Sequence, residues 1–434
     1  MSYQVREIPK ISLSLSALVD KFRRAMEFVG RRMINREKVI QQAFYALLTG
    51  DHQLLQSRTG AGKTMLAEQI FSMFDQVKIF RVQASKEQMP DTYFGALDIE
   101  QLKKGRIVHN TEGSLVESEF GFIDEIFDAN DYTLRALLSL LNERALVRGS
   151  QYMPAKVHTV IAATNYLRVT EVTEAILDRF IYKAMVLPDK DPYIQYRIAK
   201  EYAKYSGRIA PPKEKIPFSE LQFAYAIVTN QHPEYEVTIY PELLYFMNLV
   251  IRHYEFTRNR MLRQQRAEQD FYISPRTQAK AQDLLRAIAF LEGRQKVQPE
   301  DIEQLKYIFA TIGVEEEERA FEKSFETLYR SMSAARGFEQ LRTLLGFVDI
   351  LEQLRYQPEL WHQPLHQLEG IPIRRTVLEW IKDTLSGGET QIEHNQRVLK
   401  KFLEEFVPAN EEIRELKQHL VEELRELLRL APKE

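Results

Sequence analysis

An apolar run, HQLLQ, gives way to S-R-T-G-A-G-K-T and then at once to the helical pattern MLAEQIFSMF, residues 52–74. Few local patterns constrain a chain more, because a glycine loop between a strand and a helix commits the backbone to gripping an anion. Gly60 and Gly62 allow the loop to curl with its N–H groups pointing inward. Thr59 and Ala61 complete that cradle, Lys63 supplies a mobile cation for β- and γ-phosphates, and the Thr64 hydroxyl is the natural magnesium ligand. Ser57 stands where the pattern G-x-x-x-x-G-K-[ST] has its first glycine. The position falls at the strand exit rather than inside the cradle, so the expected consequence is a shift in nucleotide affinity and not its loss.

The pattern around the loop is one of alternation. HQLLQ, VKIFRVQ, GFID, HTVIAAT and KAMVLP read as strands, with helical patterns between them, from about Val39 to Pro188. Such alternation predicts an α/β fold, a parallel sheet covered on both faces. The apolar strand FGFID ends in Asp124 and Glu125, a pair able to hold magnesium through its water shell (Asp124) and to orient or deprotonate an attacking water (Glu125). HTVIAATN ends in Asn165, a neutral group suited to fixing that water. EAILDRF brings Asp178 and Arg179 just before the last strand, and ISPRTQAKAQ offers Ser274 as helix cap, Pro275 at the first helical position and Arg276 in the first turn. Read singly, each arginine is equally a surface ion-pair former.

The remaining segments read as helical. From Leu15, apolar residues at Leu18, Phe22, Met26 and Val29 predict a packed helix, and Asp20 and Glu27 argue against a basic targeting helix. The final stretch, NEEIRELKQHLVEELRELLRL, has Asn410 as cap and an apolar stripe of Ile413, Leu416, Leu420, Leu424 and Leu427, open to packing on the same chain or to docking a partner. The 434 residues include 59 basic and 62 acidic side chains and no cysteine. That balance gives no global attraction to nucleic acid or anionic membrane, and the lack of cysteine removes thiol catalysis and cysteine-ligated zinc. With no membrane-length apolar run, a soluble, cytoplasmic protein is expected.

The order of these elements resembles the AAA+ ATPases, and their detail the MoxR/RavA branch. The matching stretches run from about Ile34 to Ile302 and include GSLVESEFGFIDEIFDANDYTLRALLSLLNER, VIAATNY, ILDRF and SPRTQAKAQDLLRAIAFLEGRQKVQPEDI. The resemblance implies a P-loop (AAA+) domain with a parallel sheet, followed by an all-helical lid domain and a helical C-terminal region. It makes Lys63 and Thr64 Walker A residues, Asp124 and Glu125 Walker B, Asn165 sensor 1, Arg179 the arginine finger and Arg276 sensor 2, acting on ATP with Mg2+. It also implies two hairpins, within ALDIEQLKKGRIVHNTEGSLVES and ALVRGSQYMPAKVH, that commonly face the pore of a ring. The expected segments are 1–33, an N-terminal helix; 34–190, the nucleotide-binding core; 191–312, the lid; and 313–434, a C-terminal extension that does not match the inserted domain of RavA.

Three functions compete at this point. The first is a homo-oligomeric, hexameric ring ATPase that remodels a protein client, by resemblance often one with a von Willebrand A domain. The second is a nucleotide-gated scaffold with little turnover, which rests on Ser57 alone. The third is a nucleic-acid motor, suggested by IRHYEFTRNRMLRQQR, where Arg252, Arg258, Arg260, Arg263 and Arg266 interleave with Tyr254 and Phe256. Arginine runs of this kind are more often a solvated helix face.

Overall fold

The computed structural model describes all residues except 1–6, 59, 106–107, 149–150, 168–169, 207, 210, 266–269, 335, 366–389 and 432–434. Two compact units divide the chain: Met1–Ile239 with Thr257–Glu322, and Tyr240–Phe256 with Lys323–Glu434. Helices Pro241–Gln264 and Glu315–Ala334 contribute residues to both.

The first unit is built on five strands: β1 (Gln53–Gln56), β2 (Ile79–Gln83), β3 (Phe120–Asp124), β4 (Thr159–Thr164) and β5 (Tyr182–Met185). All four pairings are parallel, in the order β2-β3-β4-β1-β5. All six residues of β4 are buried. Because successive strand side chains point to opposite faces, that pattern requires cover on both sides, the condition a parallel sheet needs. The five predicted strands are therefore present, and the predicted α/β class holds.

The order has a consequence for the site. β4 lies between β1 and β3, so the residues just past β4 are held between the glycine loop after β1 and the acidic end of β3. Register fixes the heights: Gln56 faces Thr164, and Ile123 faces Ala162.

Helix α1 (Leu15–Arg32) buries Leu18, Val19, Phe22, Ala25 and Val29, the packed face its spacing predicts, and Ser14 caps it. Helix α2 (Glu37–Thr49) is buried from Val39 almost throughout and ends on Gly50 in the left-handed conformation. Of the two expected hairpins, the second is present, with Ala145–Arg148 antiparallel to Gln151–Pro154. The first differs. Its described residues form a short helix, Ile99–Lys103, capped by Asp98 and flanked by a single Leu97–His109 bridge. Asp98 accepts two backbone N–H bonds there, and this local capping favours a helical turn over a second strand pair.

The second unit is helical. The stripe Ile413, Leu416, Leu420, Leu424 and Leu427 is buried, against helices Gly337–Tyr356 and Gln391–Glu405. Phe347 and Phe402, one from each of those helices, stack with ring centroids 4.9 Å apart. The stripe thus packs on its own chain, and the docking alternative for it falls.

Candidate nucleotide site

The loop after β1 runs into helix α3 (Lys63–Phe71) through Gly60 and Gly62, at φ +84° and +81°. Both lie in the left-handed region that a side chain resists, and a Cβ on Gly60 would point into open space rather than into protein. Glycine is needed here for backbone shape, which is what an anion cradle requires. Ser57 keeps the strand's last ladder bond, its N–H donating to the Thr164 carbonyl at 3.0 Å, and its hydroxyl donates to the Arg58 carbonyl at 2.8 Å. Thr59 lies outside the described residues.

Lys63 is buried, and its ammonium donates to the Asn165 Oδ1 at 2.6 Å, the Thr164 carbonyl at 3.0 Å and the Ser57 carbonyl at 3.3 Å. Burial lowers its pKa, while Glu125 and Asp124 pull the other way. Thr64 Oγ1 donates to Asp124 Oδ2 at 3.3 Å, so hydroxyl and carboxylate already face each other as a magnesium site would need. Glu125 departs from the strand, with φ +51° and ψ +44°. That left-handed step costs on the order of 1 kcal/mol, and it frees Glu125 from the alternation that would send it to the opposite face from its neighbour. The Glu125 N–H donates to Asp124 Oδ1 at 3.0 Å and closes the turn. The Glu125 carboxylate accepts from the Asn165 backbone N–H at 3.0 Å and from its side-chain amide. Asn165 is the junction of the cluster: its amide oxygen holds the lysine and its amide nitrogen holds the glutamate.

Beside the loop opens a cavity of about 520 Å³ lined by Gly60, Ala61, Gly62, Met33, Met65 and Tyr202 among others. Its volume falls in the range of small-molecule sites. Two ion pairs stand at its rim, Arg36–Asp189 and Arg32–Glu201, each at 2.9 Å. Sequence reasoning missed this pocket, whose walls come from Met33, Pro188 and Tyr202 and share no local pattern.

The two arginines are elsewhere. Arg179 precedes β5, whose first residue Tyr182 pairs with Gln53 at the start of β1, whereas the glycine loop follows the end of β1. Four residues of strand, about 13 Å at the usual rise, separate those two levels. Arg179 and Arg276 share a cavity of about 260 Å³ with Asp51 and His52, at the N-terminal end of the sheet. Asp178 ties the pair together: its Oδ2 accepts from Arg179 at 2.9 Å and Arg276 at 3.1 Å, and its Oδ1 accepts from Ser274 at 3.0 Å. Burial, then repulsion from Arg276, lowers the Arg179 pKa. Ser274 also caps its helix as expected, accepting from the Thr277 N–H. The structure thus brings Lys63, Thr64, Asp124, Glu125 and Asn165 together and sets Arg179 and Arg276 apart from them.

The arginine run has internal partners. Arg252 pairs with Glu415 at 2.7 Å, Arg258 with Glu317 at 2.9 Å and Arg263 with Asp270 at 3.6 Å, while Tyr254 is buried. Arg266 lies outside the described residues. Arg258 and Tyr254 are thereby withdrawn from solvent, whereas Arg252, Arg260, Arg263 and Phe256 stay exposed, as on a solvated helix face.

A parallel sheet with this loop, acidic pair and asparagine defines a nucleotide-binding protein of the AAA+ class. Residues 20–199 match the MoxR domain of MoxR-vWA-beta-propeller ternary systems, and residues 254–320 match an AAA lid domain. The chain belongs to the MoxR-like AAA+ family. It is 26% identical over 296 residues to an uncharacterised protein of Methanocaldococcus jannaschii, covering 68% of this chain and 71% of that one. It is 27% identical over 208 residues to the chaperone MoxR1 of Mycobacterium tuberculosis, covering 46% of this chain and 52% of that one. A crystal structure of a candidate ATPase from Cytophaga hutchinsonii superimposes with a TM-score of 0.56 at 19% identity, over 73% of this chain and 95% of that chain, which is a likeness of fold. Among the described residues no helix is long and apolar enough to cross a membrane.

Proposed function

We propose that the protein hydrolyses ATP at sites shared between neighbouring subunits of a homo-oligomeric ring, a hexamer by its resemblance to the AAA+ ATPases, and uses the cycle to remodel a protein client. The observation that carries this reading is the separation of Lys63 and Glu125 from Arg179 and Arg276 by the length of the sheet. In one subunit the loop amides and Lys63 bind the phosphates, Glu125 held by Asn165 orients and deprotonates water, and Thr64 with Asp124 would hold magnesium. Magnesium, when bound, neutralises phosphate charge. A neighbour presents Arg179 and Arg276 to the charge that develops on the transferred phosphoryl group. Lys63, bonded to Asn165 in this structure, must turn toward phosphate when ATP arrives, releasing Asn165 to position water.

Two features support a protein client. The MoxR domain matched by residues 20–199 is described in systems that pair it with a vWA component, so a von Willebrand A domain is the client of choice. The first of the two insertions also exposes apolar side chains, with Leu97, Ile99 and Leu102 at 38%, 67% and 47%, and the second exposes Tyr152. Exposed apolar groups on projecting segments suit contact with an unfolding or docking chain.

Mixing two inactive variants tests the shared site. Glu125→Gln lacks the water-orienting carboxylate at every site, and Arg179→Ala lacks the finger at every site, so neither alone should hydrolyse ATP appreciably. In an equimolar mixed ring about one quarter of interfaces join an intact Glu125 to an intact Arg179, and activity should return in proportion. A mixture that stays inactive, while native mass measurement shows mixed rings, refutes the shared site.

A further inference from the structure

The chain has a formal net charge of −3, yet one cavity of the first unit concentrates positive charge. It measures about 780 Å³ and is walled by α1, the helix Pro192–Tyr205 and residues 212–216; eight basic and two acidic side chains line it. Five of the basic groups have carboxylate partners, but Arg197, Lys200 and Lys213 have none among the described residues. Like charges gathered without counter-charges repel one another, and an anion relieves that cost. Two tyrosines stand at the same wall, Tyr193 at 67% and Tyr196 at 59% exposed, and the Lys200 ammonium lies 6.0 Å from the Tyr196 ring.

We propose that this cavity is a second anion site, distinct from the glycine loop, that takes a small molecule carrying several phosphate groups. The cations come from three separate segments and converge on one concavity, which suits a compact polyanion; a nucleic-acid strand needs them spread along a line. The tyrosine faces suit a planar or sugar portion of such a ligand. Arg32, Ile34 and Glu201 line this cavity and also the pocket beside the glycine loop, so the Arg32–Glu201 pair is a wall common to both. A polyphosphate competes with Glu201 for Arg32, and its binding therefore alters the neighbouring pocket. The site would let a phosphorylated metabolite adjust nucleotide affinity.

Inorganic tripolyphosphate, titrated into the full-length Lys63→Ala protein by calorimetry, tests the site without interference from the glycine loop. One equivalent should bind, and adding Arg197→Gln, Lys200→Gln and Lys213→Gln should weaken it at least tenfold. Glutamines at exposed Lys86, Lys103 and Lys104 instead should leave it within twofold. No binding to the Lys63→Ala protein, or a cavity variant within twofold of it, overturns the proposal. So does tighter binding of a ten-residue oligothymidine than of tripolyphosphate at equal ionic strength, which would identify a nucleic-acid groove. Circular dichroism of the cavity variant should match its parent, since all three substituted side chains are exposed.

Discussion

The two ends of the parallel sheet are built differently. At the C-terminal end, Lys63, Asp124, Glu125 and Asn165 bond mainly to one another and to two strand-end carbonyls. At the N-terminal end, Arg179 and Arg276 hang from one carboxylate, Asp178, above a buried network in which Lys280 pairs with Asp51 at 3.1 Å and Asp283 at 3.3 Å. On the proposed function, the first end is a set of groups whose bonds exchange when ATP arrives. The second is a mount in which one carboxylate, fixed by the Ser274 hydroxyl, holds two cations. The difference teaches that motifs read in one order along the chain can lie at opposite ends of its sheet.

The largest effect that can separate the ends is loss of ATP binding. Lys63→Ala removes the loop cation that neutralises the β- and γ-phosphates, and ATP affinity should fall by on the order of a hundredfold or more. An affinity unchanged in fluorescence titration would remove Lys63 from that role. Asp178→Ala acts at the other end. It removes the carboxylate that both arginines share and breaks the Ser274 contact, so turnover should drop by on the order of tenfold to a hundredfold while single-chain ATP affinity stays within twofold. If affinity falls in step with turnover, the two ends are not independent and the contrast between them fails.

A third prediction uses protons. His52 and His158 are both buried at the N-terminal end, and burial foremost drives the His52 pKa well below its usual value and the His158 pKa down to about 3. The Val160 N–H donates to His52 Nδ1 at 3.0 Å, so a proton on that nitrogen would break the bond. A depressed folded-state pKa means that the neutral ring is favoured by folding. The stability it contributes is complete above pH about 6.5 and is lost as pH falls toward the folded value, by about 1.4 kcal/mol per pH unit for each histidine. Urea unfolding between pH 7 and 5 should show that slope, and His52→Asn should flatten it by about one histidine's share. A slope unchanged by the substitution would place the acid sensitivity in other groups.

Much of one end is legible in the sequence. The five strands, the glycine loop, the acidic pair and Asn165 are local patterns, and local patterns survive as strings of residues. The hidden part depends on distant pairing. Nothing near Asn165 says that β4 inserts between β1 and β3, the arrangement that makes its amide the link between Lys63 and Glu125. In the sequence Asp178 is a neighbour of Arg179 alone; its hold on Arg276 spans 98 residues. The left-handed step at Glu125 is likewise invisible, because glutamate carries no marker for it. The apolar stripe of the last helix is readable as a stripe, but which surface covers it is a property of the folded unit.

The smallest expected effect concerns the residue that departs from the common loop. Ser57 is buried, its N–H completes the ladder to Thr164, and its carbonyl receives the Lys63 ammonium. Both of those bonds use backbone atoms, which glycine also has. Only the hydroxyl, bonded to the adjacent Arg58 carbonyl, would be lost in Ser57→Gly. The substitution adds backbone freedom to a segment already containing two glycines, at a cost of about 0.5–1 kcal/mol if that freedom is restrained in the native loop. ATP affinity and turnover should therefore each change by no more than about fivefold. Complete loss of turnover with ATP binding retained would show that the hydroxyl, through the Arg58 carbonyl, holds the loop in the shape that lets Lys63 leave Asn165. The C-terminal end of the sheet would then be as rigidly mounted as the other, and the contrast between a yielding cluster and a fixed one would have to be abandoned.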